Sequence, residues 1–173
     1  ANAGGSETIT LSDAGTVTGL ADVEAYNLAD GANSFTLGAA GQDVTGGTGD
    51  DTVVTGGFDP SGTLALADGT NLVDISGGDD ISGATITTSG SYNIQLNGAA
   101  TMTAAQHTGA GDILAGGGSD QITFTDAFAG TGDGDVETYL LADGVNNDIT
   151  LGAAGQDVTG GTGDDTVNLG GFD

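Results

Sequence analysis

Short apolar runs recur about every 8 to 12 residues along the chain. They are TITL, AYNL, FTLG, DTVV, TLAL, LVDIS, ATITT, YNIQL, TMTA, DILA and QITF. These runs are rich in β-branched residues and alternate with Gly, Asp and Asn, a pattern typical of short strands joined by turns. Helical spacing of apolar residues with end caps is missing, except for one turn around Ala104 to His107. The pattern therefore predicts an almost all-β fold.

The chain also contains an internal duplication. The segment TLGAAGQDVTGGTGDDTV occupies residues 36–53 and recurs unchanged at residues 150–167, an offset of 114. Upstream, DVEAYNLADG at residues 22–31 matches DVETYLLADG at residues 135–144, an offset of 113. One residue is therefore inserted between the two matched stretches. Such self-similarity is the sequence signature of a repeat architecture, in which each unit buries its core against the next.

The two copies define the domain organisation that we predict. Residues 1–113 form the first full repeat, and residues 114–173 form the first half of the next repeat, equivalent to residues 1–59. We expect this to be a window on a longer array. Gly-Asp turns favour a coiled ribbon over a sandwich array, because Gly readily adopts the positive φ of tight corners. The predicted fold is an elongated parallel β-roll or β-solenoid built from repeats of about 113 residues.

Charge then narrows the possible partners. The chain has 25 acidic residues and no Lys or Arg, giving a net charge of -25. Two carboxylates about 4 Å apart near a protein surface repel by about 4 kcal/mol, so we expect bound cations. Oxygen-only ligands favour a hard cation such as Ca²⁺. We predict no nucleic-acid partner and no direct membrane insertion, because anionic partners need Lys and Arg and no apolar run reaches about 18 residues. The absence of Cys excludes disulfides and thiolate metal sites.

One motif points to calcium chemistry directly. The sequence reads GGTGDDTVV from Gly46 and GGTGDDTVN from Gly160. Both fit the nine-residue pattern G-G-x-G-x-D-x-U-x, where U is a large apolar residue. The glycines let the turn bend so that its carbonyls face a cation, and the Asp six places along, Asp51 or Asp165, supplies a carboxylate. The apolar residue two places later points into the core, because side chains alternate along a strand.

These residues resemble the repeats-in-toxin, or hemolysin-type, calcium-binding family found in bacterial surface-layer proteins and large adhesins. The resemblance implies a parallel β-roll with Ca²⁺ held between successive turns and ordered after secretion. It also implies carbonyl ligands at Gly47, Gly49, Gly161 and Gly163. Clear motifs cover only two turns, and they are isolated in a long repeat where the family carries several in tandem.

Weaker candidates surround these two motifs. AGGGSDQIT retains the spacing with Asp120, and NAGGSETIT has Glu7 in its place, whereas SGGDDIS, GAGDIL and GAAGQDVT keep only the composition. The ordinary alternative for each turn Asp is a local bond to a nearby backbone amide, which we expect for Asp13, Asp68 and Asp126. The carboxylates predicted as metal ligands are Asp43, Asp50, Asp51, Asp79, Asp80, Asp112, Asp120, Asp157, Asp164 and Asp165.

Other functional classes fit the sequence less well. His107 is the sole His, with no Cys or Lys to act with it, so we expect it to pack or to sit in a turn. Paired carboxylates occur in glycosidases, but an active site is not usually duplicated with an array. Thr-x-Thr patches could order water on ice, although their irregular spacing shows no array. We therefore predict that the chain is not an enzyme.

The sequence thus predicts a calcium-stabilised structural repeat protein, secreted or on the bacterial cell surface. We expect it to assemble with other copies of itself, head to tail or laterally, as a surface layer, filament or matrix. The alternatives are the stiff extender of a large secreted adhesin, a passive stretch of a secreted enzyme and, as a minor alternative, an ice-binding solenoid.

Overall fold

A computed structural model describes residues 5–75 and 78–172. It is nearly all parallel β structure, with coils stacked into an elongated solenoid of about eight turns. The predicted fold class is confirmed. Most strands are only three residues long, because each coil turns sharply at Gly, Asp and Asn after a single inward-facing side chain.

In chain order the strands are β1 Thr8–Thr10, β2 Thr16–Thr18, β3 Ala25–Asn27, β4 Ser34–Thr36, β5 Asp43–Thr45, β6 Thr52–Val54, β7 Thr63–Ala65, β8 Thr70–Ile75, β9 Thr85–Thr87, β10 Ser91–Leu96, β11 Ala99–Met102, β12 Ile113–Ala115, β13 Gln121–Phe124, β14 Ala129–Thr131, β15 Thr138–Leu140, β16 Asp148–Thr150, β17 Asp157–Thr159 and β18 Thr166–Asn168. A short helix, α1 (Ala104–Gly109), lies between β11 and β12.

The strands form four parallel sheets. Their orders are β1-β3-β5-β7-β9, β12-β10-β8-β6-β4-β2, β11-β13-β15-β17 and β14-β16-β18. Paired residues are 17 apart between β1 and β3 (Thr8↔Ala25) and 22 apart between β7 and β9 (Thr63↔Thr85). Each strand therefore lies beside its counterpart one coil further along the chain, so that residues about one coil apart in sequence become neighbours in space.

The sequence duplication has a structural counterpart. Strands β1 to β6 correspond to β13 to β18 at the offset of the repeat, and the two sets pair in the same way. Tyr26 and its equivalent Tyr139 are both buried. Their hydroxyls accept hydrogen bonds from the backbone N of Leu20 at 2.7 Å and of Asp133 at 2.6 Å, respectively. The tandem repeat is thus present in the packing as well as in the sequence.

The coil is modified once, at α1. Thr103 and Gln106 form a capping box, in which each side chain bonds the other residue's backbone N. The Gln106 side chain also donates to the carbonyls of Ile81 and Ala84, at 2.6 and 2.9 Å. The turn predicted around Ala104 to His107 is this helix, and Gln106 fixes it to the preceding coil.

One hydrophobic core runs through the stacked coils. A typical three-residue strand presents its middle side chain inward and the two flanking residues outward. Phe35, Val44, Val53, Leu64 and Ile149 occupy such middle positions and are fully buried. Because each coil contributes few apolar side chains, its stability depends on the coils that cover it above and below.

Candidate metal centres

A polar ladder crosses three coils beside this core. Its rungs are Asn33, Asp51 and Asn71, all buried. Asp51 Oδ1 accepts from the backbone N of Asn33 at 3.0 Å and from its Nδ2 at 2.7 Å. Asp51 N donates to Asn71 Oδ1 at 2.9 Å. The carboxylate predicted to bind calcium therefore lies inside the stack, bonded to the coils before and after it.

The second carboxylate oxygen of Asp51 has no hydrogen-bond partner. Asp51 is 1% exposed, and its Oδ2 is buried without a donor. A Cβ at Gly46 would lie 2.5 Å from this oxygen, so the first glycine of the motif makes room for the carboxylate. Burying a charged oxygen without a partner is unfavourable, which makes this atom a candidate cation ligand.

The second repeat contains the same ladder with one rung fewer. Phe128 N donates to Asn147 Oδ1 at 3.0 Å, and Asn147 Nδ2 donates to Asp165 Oδ1 at 2.8 Å. A Cβ at Gly160 would lie 2.7 Å from Asp165 Oδ2, as at Gly46. Asp165 is only half-buried, since no later coil covers it among the described residues.

The other glycines of the motif allow the coils to approach each other. A Cβ at Gly47 would lie 2.2 Å from the carbonyl O of Ala29, and one at Gly161 would lie 2.5 Å from that of Ala142. Gly49 and Gly163 have φ of 126° and 149°, which side-chain-bearing residues rarely adopt. The glycine spacing is therefore required by coil stacking. Whether the carbonyls of these four glycines bind calcium remains a prediction.

The outer turn carboxylates bond to the neighbouring coil. Asp50 Oδ1 accepts from Thr70 N at 2.8 Å, and Asp43 Oδ1 accepts from Thr63 N at 2.7 Å. Asp30 accepts from Thr48 N at 3.0 Å, and this bond holds the pKa of Asp30 below its usual value. Such bonds satisfy backbone donors at the turns, but they leave the negative charge in place.

The equivalent positions in the second repeat are exposed, as Asp43 and Asp50 are. Asp164 and Asp157 are both exposed. Asp164 N donates to Asn146 Oδ1 at 3.1 Å. Asp157 begins β17, where its N donates to the carbonyl of Glu137 at 2.7 Å. These two predicted ligands therefore lie on the solvent side of the last coils.

Three further candidates lie elsewhere in the stack. Asp79 is buried and accepts from the Thr55 hydroxyl. Asp80 Oδ1 accepts from Ser82 N at 2.8 Å, while Asp112 is exposed after α1. The two motifs that contain these residues, SGGDDIS and GAGDIL, therefore lie in different coils. Ser76 and Gly77 of the SGGDDIS turn lie outside the described residues. So do residues 2–4 of the NAGGSETIT turn, together with Ala1 and Asp173.

The prediction of local amide bonds for Asp13, Asp68 and Asp126 is wrong. Asp13 accepts from the Ser12 hydroxyl at 2.8 Å. Asp68 accepts from the Ser89 hydroxyl at 2.5 Å, and Asp126 accepts from Ala104 N at 2.7 Å, both about one coil away. For Asp68 and Asp126 the reason is the stacking, since a neighbouring coil about 4.8 Å away brings donors within reach of the turn. Asp13 bonds instead to the side chain of the residue before it.

No group of three or more His, Cys, Asp or Glu side chains is placed to hold a metal ion within residues 5–75 and 78–172. A cation at Asp51 would therefore need backbone carbonyls, Asn oxygens or water to complete its shell. Ca²⁺ accepts such mixed oxygen ligands, with six to eight oxygens in a flexible arrangement. The donor set is compatible with calcium, although it does not form a carboxylate cage.

His107 lies in an aromatic cluster, in agreement with the packing role expected for it. Its ring centroid is 5.1 Å from that of Phe128 and 5.5 Å from that of Phe124. Nε2 is 3.5 Å from the Tyr139 hydroxyl. Burial lowers the pKa of His107, while the charge of Asp133 acts in the opposite direction. The imidazole therefore favours its neutral form.

Comparison with known proteins adds no assignment. The chain matches no protein-family model, and no curated protein or solved structure matches it. Across the described part of the chain, no helix has the length and apolar character needed to span a membrane. The resemblance to repeats-in-toxin proteins thus depends on the motif residues alone, and the function has to be argued from the site.

Proposed function

We propose that this chain is a calcium-stabilised, non-enzymatic structural solenoid of the bacterial cell surface or its secreted matrix, where copies assemble with one another. The observation that carries the proposal is the buried, unpartnered Oδ2 of Asp51. The chain has no Lys or Arg to neutralise this carboxylate. A cation between coils would therefore remove an energetic penalty at the point where the coils meet.

Calcium fits this role better than magnesium. The groups near Asp51 are a single carboxylate, amide side chains and the backbone of the glycine turn. Mg²⁺ requires nearly ideal octahedral geometry, whereas Ca²⁺ accepts irregular sets of carboxylate, carbonyl and water oxygens. Asp51 and Asp165 are the proposed carboxylate ligands, and Gly47, Gly49, Gly161 and Gly163 the proposed carbonyl ligands.

A mechanical role is favoured by the way the core is built. The hydrophobic core is continuous through the coils, so order in one coil depends on its neighbours. The His imidazole, which is the usual general base near neutral pH, lies buried in the aromatic cluster around Phe124 and Phe128. Nothing in this arrangement argues for catalysis, so we propose a non-enzymatic role.

The last described coil has exposed apolar side chains. Val167 and Leu169 are 44% and 59% exposed, whereas their repeat equivalents, Val53 and Thr55, are fully buried. The first-repeat residues are covered by the coil that contains β8 (Thr70–Ile75). An equivalent coil, from a following segment or a second copy, would cover the exposed end. Assembly of copies along the stack stays a proposal, which the sedimentation experiment below tests.

The stiff extender of an adhesin is the second candidate. β1 and β18 lie in the first and last described coils, so tension applied to the ends would act along the stack. Ice binding stays a minor candidate. Register places Thr16, Ser34 and Thr52 in one row, but the neighbouring row of Thr18 and Thr36 ends at Val54.

Sedimentation velocity with and without calcium tests this proposal. We expect Ca²⁺, but not Mg²⁺, to shift the chain from a poorly ordered monomer to an ordered, associating species. The variant Asp51→Asn with Asp165→Asn should lose this response, and Asp13→Asn should retain it. An ordered but monomeric calcium form would favour the extender. Identical sedimentation in calcium and in chelator would overturn the calcium role.

A further inference from the structure

A second buried carboxylate lies apart from the Asn ladder. Asp120 is 3% exposed, and its Oδ1 accepts from Gly98 N at 2.7 Å. Its Oδ2 is buried without a hydrogen-bond partner. As at Asp51, one oxygen is satisfied by the neighbouring coil and the other is not. A proton, a cation or a bound water would satisfy the unpartnered oxygen.

A second acid reaches the same residue from the following coil. Glu137 Oε2 accepts from Asp120 N at 2.8 Å. Asp120 and Glu137 are 17 residues apart, which is one coil in this part of the chain. The carboxylate of Glu137 therefore lies against the backbone of Asp120, in a chain without Lys or Arg.

The same arrangement occurs in the first repeat. Glu7 and Glu24 are the repeat equivalents of Asp120 and Glu137, and Glu7 N donates to Glu24 Oε2 at 2.8 Å. Glu7 Oε2 is also buried without a partner. Both copies thus combine an acid from the next coil with an unpartnered buried oxygen, although the first residue of the pair differs in length. The juxtaposition belongs to the repeat and does not depend on the GGTGDD motif.

Space for a ligand is present beside Asp120. A cavity of about 340 Å³ is lined by Asn97, Gly98, Asp120 and the loop of residues 116–119. A Cβ at Gly116, Gly117 or Gly118 would meet nothing within 4 Å. Since a water occupies about 30 Å³ in the liquid, the cavity can hold a cation together with several waters.

We propose that Asp120 and Glu137 form a divalent-cation site that joins adjacent coils, and that Glu7 and Glu24 form its counterpart in the first repeat. In both copies the ligands would be the unpartnered buried oxygen and the carboxylate of the following coil, and at Asp120 oxygens of the loop of residues 116–119 would join them. The ion is of the calcium class, because the donors are all hard oxygens. This site rests on the proposed function and deepens it, because it adds an acid from the following coil to the two weaker glycine turns, AGGGSDQIT and NAGGSETIT.

A shared proton is the competing explanation. A proton between the two acids of a pair would also satisfy the unpartnered oxygen. The pKa of Glu24 is held low mainly by the hydrogen bond from Glu7 N, with a smaller contribution from a side-chain bond to Glu7. Proton and cation differ in one respect that can be measured, since only the cation adds to the metal stoichiometry.

Calorimetric titration with CaCl₂ at neutral pH tests the site. Compared with the wild-type chain, Asp120→Asn with Glu137→Gln should bind one equivalent of Ca²⁺ fewer, as should Glu7→Gln with Glu24→Gln. The four changes together should remove two equivalents. The control, Asp13→Asn with Asp135→Asn, removes the same charge from exposed positions and should bind as the wild type does. Circular dichroism checks that each variant folds.

Three outcomes decide the matter. The site would be overturned if Asp120→Asn with Glu137→Gln bound calcium with the same stoichiometry and affinity as the control pair. A shared proton would also overturn the site. Its signature is an infrared band of a protonated carboxyl that is seen in chelator, persists in calcium and disappears only in Asp120→Asn with Glu137→Gln. If that double variant does not fold, Glu137→Gln alone alters an exposed side chain and should weaken one class of binding at least about tenfold. Unchanged affinity in this single variant would also reject the site.

The result is separable from the test of the proposed function. Suppose that Asp51→Asn with Asp165→Asn loses calcium-dependent assembly, while Asp120→Asn with Glu137→Gln binds as many calcium ions as the wild type. This result would reject the Asp120 site alone. Suppose instead that Asp120→Asn with Glu137→Gln binds one calcium ion fewer, but calcium changes neither the order nor the association of the wild-type chain. This result would retain the site and reject the proposed function.

Discussion

The two copies of the GGTGDDTV turn have identical sequences and different surroundings. In the first, Asp51 is buried between Asn33 and Asn71, and Val53 is fully buried. In the second, Asp165 is half-buried and Val167 is exposed. The difference comes from the next coil, since β8 pairs with β6 but no described strand follows β18.

This comparison shows that the chemistry of the turn belongs to the stack. The motif supplies the carboxylate and the glycines, but Asn71, which completes the ladder, lies 20 residues beyond Asp51. Asp165 has the same local sequence and only one Asn neighbour. A turn thus acquires its buried, unpartnered oxygen only when another coil covers it. Three experiments test this contrast, and a fourth tests the aromatic cluster around His107.

The largest effect is expected from Gly46→Ala. The added methyl would lie 2.5 Å from Asp51 Oδ2 and 3.3 Å from the Leu66 backbone, in a packed interior. Overpacking of this kind costs about 3 kcal/mol, at the upper end of its usual range. For Gly160→Ala the three nearest atoms all belong to the half-buried Asp165 side chain, which can move towards solvent, so the change should cost about 1 kcal/mol. Urea denaturation in calcium measures both, and equal losses would contradict the contrast.

Asp51→Asn should remove most of the stabilisation that calcium provides. One site contributes about 2.7 kcal/mol when the free ion is at a hundredfold excess over its Kd. Asp165→Asn should remove less, because its coil is uncovered. The difference in melting temperature between calcium and chelator, measured for each variant, gives the comparison. A larger effect at Asp165 would reverse the proposed order of the two turns.

Asn71→Ala tests the rung that the sequence motif does not contain. It would leave Asp51 N buried without its acceptor, at a cost of about 1–3 kcal/mol. Asn168→Ala is the control, since Asn168 is exposed in the last strand and its amide bonds Asp148 at 2.8 Å. Chemical denaturation should show a clear loss for the first variant and little for the second. Equal stability would mean that the ladder contributes nothing.

The smallest effect concerns His107 and mild acid. Because burial lowers its pKa in the folded state, neutral His107 supports stability above pH 6.5, the ordinary value. That contribution is lost as the pH falls from 6.5 towards the lowered value, since the unfolded chain takes up the proton first. His107→Gln should flatten this part of the melting-temperature profile. The difference between the wild-type and His107→Gln profiles separates the effect of the imidazole from that of the carboxylates. Parallel profiles would contradict the lowered pKa of His107.

Much of the fold could be predicted from the sequence. The runs TITL, AYNL and QITF lie on β1, β3 and β13, and the duplication predicted equivalent strands. β2 (Thr16–Thr18) and β5 (Asp43–Thr45) were not among the predicted runs. Each has one inward residue between polar neighbours, so its apolar signal is a single Val.

The site was harder to predict for a related reason. The long repeat hides the shorter coil period, and without that period Asn33 and Asn71 cannot be recognised as neighbours of Asp51. Their spacing of 18 and 20 residues from Asp51 is the signal that would have found them. Glu24 and Glu137 were missed in the same way, because each partner lies one coil away in sequence.

The central claim is that calcium orders the solenoid through its buried carboxylates. Circular dichroism with light scattering during a calcium titration, with magnesium as the control, tests it most directly. We predict a calcium-specific gain of β signal, accompanied by a rise in scattering as copies associate. A chain that is already fully β-structured in excess chelator, and unchanged by calcium, would contradict the claim and leave the acidic turns as corners of a metal-free solenoid.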